Sequence, residues 1–162
     1  MSVKMSDIET ADASADTLLY DVAYADTDAG GIVYHARYVE MAERSRNCAL
    51  KALGVPVVGM RARFGVLFVI RDIRATYHCP SFVGDTLALS SGIVTATPVR
   101  VIWRTAIGRG ADLVCDVEAQ IAAFDPVLRQ PCLLPADLMM LLGQAPRSQP
   151  MRRIPMMKAD AG

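Results

Sequence analysis

Apolar and polar positions alternate with a period of two at several places along the chain, and each such run predicts a strand. Leu18, Tyr20, Val22 and Tyr24 alternate with Leu19, Asp21 and Ala23. The stretch from Val66 to Tyr77 is apolar first and alternating later, with Arg71, Ile73, Ala75 and Tyr77 in step. Leu87, Leu89 and Ile93 share one face of the next strand. Val101, Trp103 and Ile107 share a face of the one after, with Arg100 and Arg104 on its other side. Leu113, Cys115, Val117, Ala119 and Ile121 mark a fifth. Short turn segments separate the later strands: Pro80 with Gly84-Asp85, then the run GRGAD at 108–112, so they pair as an antiparallel meander.

Between the first two strands the period changes. A helix is expected from about Tyr34–Ala36 to Leu53, with Gly54 at the C-cap and Pro56 beyond it. Its small residues, Ala36, Ala42, Cys48, Ala49 and Ala52, suit close packing on a flat partner. About 27 Å of helix beside an antiparallel sheet of five strands is an α+β layer arrangement. A twisted sheet of that kind can wrap around the helix. A short helix over 135–142 closes the domain, expected to span residues 17–142, with polar disordered tails at 1–16 and 143–162.

Composition narrows the function. The chain has 162 residues, 52% of them hydrophobic, and no net charge, which fits one globular domain and gives no bulk attraction to nucleic acid. No apolar run reaches the roughly 18 residues of a membrane span, and the polar start has no signal-peptide core. The four cysteines, Cys48, Cys79, Cys115 and Cys132, stand far apart, and there are only two histidines. No metal site is expected, and a cytoplasmic protein is.

Chemistry concentrates in one stretch, YADTDAGGIVYHARYVEMAERSR, from Tyr24 to Arg46. A calcium loop starting at Asp26 fails, because Gly30 and Arg37 occupy positions that need oxygen ligands. Phosphate-binding glycine motifs and a GxSxG elbow are absent, and Cys48 has no neighbouring histidine. What remains is a carboxylate, a tyrosine and a histidine at the mouth of a helix. Unsatisfied N–H groups there, near Tyr34 and His35, can polarise a carbonyl, and Asp26 or Asp28 can attack it or deprotonate a water. Each residue also has a structural reading: Asp28 as an Asx-turn residue before Gly30-Gly31, His35 as a cap, Tyr24 as core and Glu43 as a surface charge.

The stretch resembles the signature of the 4-hydroxybenzoyl-CoA thioesterase family of hotdog-fold enzymes, Y-x-D-T-D-x-x-G-x-V-Y-H-x-x-Y…E-x-x-R, and looks most like its Tol–Pal-associated acyl-CoA thioesterases. FVIRDIRATYHCPSFVGDTL and VRVIWRTAI are similar to the strands that follow in that family. The resemblance implies a long helix wrapped by a five-stranded antiparallel sheet. It implies a homodimer or homotetramer with sites at the subunit interface, and no cofactor. It implies hydrolysis of acyl-CoA, or acyl carried on acyl carrier protein, with Asp28 as the catalytic carboxylate assisted by His35 and Tyr24. On this reading Gly31, Val33 and Tyr34 line the substrate site. Arg71 and Arg100, with Arg63 and Arg104 as further candidates, would meet the CoA phosphates; read without the resemblance, each is an ordinary surface arginine. A hotdog module that binds acyl-CoA without turnover, or a hotdog hydratase, is the alternative.

Overall fold

A computed structural model describes residues 17–55 and 57–149. Strands β1 (Thr17–Asp21), β2 (Leu67–Tyr77), β3 (Thr86–Thr97), β4 (Arg100–Arg109), β5 (Asp112–Asp125) and β6 (Gln130–Cys132) form one antiparallel sheet. Helices α1 (His35–Ala52), α2 (Met60–Phe64) and α3 (Ala136–Leu142) accompany it. The five expected strands make the path β1-β3-β4-β5-β2, and the three-residue β6, unforeseen from sequence, pairs with the end of β5.

Connection length explains this order. Two-residue turns join β3 to β4 and β4 to β5, the latter with Gly110 at a φ of 56°, so these three strands pair in sequence. The chain reaches β2 only after α1 and α2, and β2 takes the far edge beside β5. At the other edge β1 covers β3 from Thr86 to Ser90.

Helix α1 packs mainly on β3 and β4. Its inward residues Tyr38, Met41, Ala42, Ser45, Arg46, Ala49 and Leu50 are buried at helical spacing. Two apolar clusters lie beneath it. One joins Tyr38, Met41 and Ala42 to Leu87, Leu89, Ile107 and Cys115. The other joins Leu50 to Trp103, Ile121, Met60 and Leu138. Buried hydroxyls link helix and sheet: Ser91 Oγ donates to Ser45 Oγ at 2.9 Å and lies 2.7 Å from Thr105 Oγ1. Paired in this way, the polar atoms are tolerated inside the core.

Three expectations change. The first strand stops at Asp21, and Tyr24–Asp26 forms a single 3-10 turn, because the Asp26 side chain accepts from the Ala23 amide and folds the chain back. Arg104 is buried, not a surface arginine: Nε and Nη2 donate to Asp116 Oδ1 and Oδ2, both at 2.7 Å, across the β4–β5 pairing. The packed chain also continues past Leu142. The Ile93 amide donates to Pro146 O and the Ser148 amide to Ile93 O, along the β3 edge that β1 leaves open. The expected tail at 143–162 overlaps this docked segment at 143–149; its remainder, like 1–16, lies outside the described residues.

Candidate active site

The site is built on a hairpin closed at its base by pairing of Thr27 with Val33. Inside it the Asp28 amide donates to Ile32 O at 2.9 Å and the Gly31 amide to Asp28 O at 3.0 Å. Gly31 has a φ of 75°, a conformation that favours glycine at this turn. Val33 is buried, and its amide donates to Ser81 O, tying the hairpin to the loop ahead of β3. Tyr34 is the N-cap residue of α1, and His35 is its first helical residue.

Two aspartates of one short run end in opposite environments. Asp26 is 2% exposed. Its Oδ1 accepts from Tyr20 Oη (2.9 Å), Arg37 Nε (2.9 Å) and Arg37 Nη2 (2.6 Å), and its Oδ2 accepts from the Ala23 amide (2.9 Å). Burial pushes this carboxyl up, but the Ala23 amide, Arg37 and Tyr20 together outweigh it and hold it below the ordinary aspartate range. Both Asp26 oxygens are thus engaged and shielded from solvent. Asp28 is exposed; its Oδ1 accepts from the Gly30 amide at 2.8 Å, and Oδ2 has no partner among the described residues. Its Asx-turn role and an open carboxylate oxygen thus coexist.

The helix start is also open. No side chain caps α1, and among the described residues the amides of His35 and Ala36 have no acceptor. These N–H groups sit at the positive end of the helix dipole. The His35 ring lies between aromatic neighbours, 4.4 Å from the Tyr34 ring and 6.4 Å edge-on from the Tyr77 ring. Tyr77 Oη donates to His35 O at 3.2 Å, and burial, with Cys115 and Tyr38 nearby, raises its pKa. Sequence reasoning placed Tyr77 at a strand end without linking it to the helix start; only the β2–β5 pairing brings them together. Tyr24 stands 83% exposed on its 3-10 turn.

The arginines divide. Arg63 donates to Gly54 O and lies over the Phe64 ring, and Arg104 is committed to Asp116. Arg71 is the exposed extra residue at the β2 bulge between Ile70 and Asp72. Arg100 begins β4, seven residues from Ile107, which reaches Tyr77 through Cys115; that is about 23 Å along the strand. One protomer does not bring Arg100 to the helix start.

The inner face of β2 is uncovered. Ile70, Ile73 and Tyr77 are each more than 40% exposed, on the face where the register sets them beside Ile121, Ala119 and Cys115. The other edge of β2 has no strand against it among the described residues. Among those residues no group of histidine, cysteine or acidic side chains is arranged to hold a metal ion, and no helix is long and apolar enough to cross a membrane.

Residues 22–142 match the model of the thioesterase-like superfamily. The acyl-CoA thioester hydrolase YbgC of Escherichia coli O157:H7 is 30% identical over 118 residues, spanning 72% of this chain and 87% of that one. A protein from Staphylococcus aureus, SAV2348, solved in complex with CoA, superposes with a TM-score of 0.74 at 15% identity, over 86% of this chain and 89% of its own. Slr0204 of Synechocystis, a 1,4-dihydroxy-2-naphthoyl-CoA thioesterase, gives 0.72 at 18% identity, over 79% and 95%. At such identities the structural likeness is one of fold.

Proposed function

The chain belongs to the thioesterase-like superfamily, with its hotdog fold, and we propose that it is an acyl-CoA thioesterase whose catalytic carboxylate is Asp28. The observation that carries this reading is an open carboxylate oxygen on a glycine hairpin that leads directly into an uncapped helix N-terminus. The E. coli relative named an acyl-CoA thioester hydrolase supports the substrate class.

The chemistry follows from that pairing. The thioester carbonyl accepts a hydrogen bond from the His35 amide, where negative charge developing on its oxygen meets the helix dipole. Asp28 either attacks the carbonyl carbon, expelling CoA thiolate and leaving an acyl–aspartyl anhydride for water to cleave, or takes the proton of an attacking water. Single turnover in ¹⁸O-water separates the two, since hydrolysis of an anhydride at the aspartyl carbonyl leaves label in Asp28. His35 and Tyr24 flank the thioester, while Gly31, Val33 and Tyr34 shape the hairpin and helix mouth against which it lies.

We read the site as completed by a second copy of the chain. The uncovered Ile70, Ile73 and Tyr77 and the open β2 edge support a homodimer, which would shield Asp28 from bulk solvent. Arg71, exposed on that edge, and Arg100 are the candidates to meet a CoA phosphate in such a dimer. The same thioester presented on acyl carrier protein would suit the same groups.

Thiol release from a panel of acyl-CoAs, short and long aliphatic and aromatic, tests the reading with wild type and Asp28→Asn. The expected result is turnover that falls by about a thousandfold or more in a variant with unchanged circular dichroism. Wild type that binds acyl-CoA and releases no thiol would make the protein a binding module.

A further inference from the structure

Asp26 is the point where three separate pieces of chain are tied. Its carboxylate receives Tyr20 from β1, the Ala23 amide from the 3-10 turn and the Arg37 fork from the first turn of α1. Its main-chain oxygen accepts from the Tyr34 amide at 2.8 Å, immediately before the helix begins. Side chain and main chain of one residue thereby grip α1 at Tyr34 and Arg37, at the end of the hairpin opposite β1. The residues in between, Thr27 to Val33, form the hairpin that carries Asp28. At the hairpin tip Asp28, Gly30 and Gly31 bond locally, and Ile32 bonds the Asp28 amide and also bridges to Phe82. The hairpin's main-chain anchors elsewhere are the Val33 amide on Ser81 O, within a bridge between Ile32 and Phe82, and the Thr27 amide on Tyr24 O, in the turn that Asp26 ends.

We propose that Asp26, through Arg37 and Tyr20, is the positioning residue that sets where the Asp28 carboxylate stands relative to the His35 amide. This rests on the reading of Asp28 given above. It explains why a carboxylate two residues from the catalytic one is buried with donors on both oxygens. A neutral amide there would turn an NH₂ group toward the Ala23 amide or the Arg37 fork, leaving a donor facing a donor. The hairpin base would then shift, and reacting groups displaced by about 1 Å cost rates of the order of a hundredfold.

Steady-state kinetics and amide hydrogen exchange on Asp26→Asn, Asp28→Asn and the double variant test this. Asp26→Asn should lower kcat by about ten- to a hundredfold, per folded molecule, with KM within about threefold of wild type. The double variant should be no slower than Asp28→Asn alone, because a residue acting through Asp28 has nothing left to position. Exchange at Gly30, Gly31 and Tyr34 should quicken while the last turns of α1 keep their protection. A wild-type kcat in Asp26→Asn, a multiplied loss in the double variant, or unchanged exchange at those amides would overturn the proposal. If Asp28→Asn turns over like wild type, the functional reading falls, and the exchange measurement, which needs no turnover, still decides whether Asp26 holds the hairpin. Should Asp26→Asn not fold, Tyr20→Phe and Arg37→Lys each remove one arm of the same contact and are expected to show smaller losses of kcat with the same exchange pattern.

Discussion

Two arginine–aspartate pairs, Arg37–Asp26 and Arg104–Asp116, use the same chemistry in different places. Arg104 and Asp116 are both buried, meet diagonally across adjacent strands, and are joined by a third contact, Arg104 Nη1 to Gln149 O at 3.0 Å. Gly92, the register partner of Arg104 on β3, has no side chain to block that reach. Arg37 remains 26% exposed, and it also bonds Glu40 at the surface. One pair fastens the docked segment 143–149 to a finished sheet. The other holds the base of a hairpin whose tip has open polar groups. The Arg104–Asp116 pair thus serves the scaffold, and the Asp26 clamp stands beside the open polar groups of the site.

Breaking the buried pair should have the largest effect on stability. Arg104→Met leaves Asp116 charged and unpaired, at an expected cost of about 3–5 kcal/mol in denaturant unfolding, with kcat per folded molecule unchanged. Gly92→Ala should come next: a Cβ there would stand 2.8 Å from Pro146 O, and displacing the docked segment should cost about 1–3 kcal/mol. Arg37→Met should cost less, about 1–2 kcal/mol, since Tyr20 and the Ala23 amide still serve Asp26, and here kcat should fall. Equal stability losses in the two arginine variants would erase the contrast.

Acid sharpens the comparison further. Asp26 has its carboxyl held below the ordinary range, so its contribution is present above roughly pH 4 and is lost as pH falls through the folded-state value. The stability difference between wild type and Asp26→Asn should shrink below about pH 4. The smallest expected effect is in thiol labelling. Burial pushes Cys115, beside Asp116, up to about 12, so at pH 8 an alkylating reagent should modify exposed Cys48 and spare Cys115. Faster Cys115 labelling in Arg104→Met than in Arg37→Met would report opening on the scaffold side.

Much of the fold was legible in the chain. Alternation at Leu87, Leu89, Val101, Trp103 and Ile107 and small residues in α1 gave the layers and the helix bounds within a residue or so, because inward-facing positions repeat with the period of each element. The stretch 24–46 marked where chemistry belongs by its density of polar types. Residue types and spacing could not assign Asp26 and Asp28 to different tasks; the preference for Asp28 came from the family signature. Arg104 read as a surface charge because its partner Asp116 is twelve residues away, on the next strand. Local order thus determined the elements and the loop that bears the site. Which carboxylate is buried, which arginine is paired and which tyrosine meets His35 depended on strand register and on the return of α1 to the sheet, contacts between residues that local periodicity does not relate.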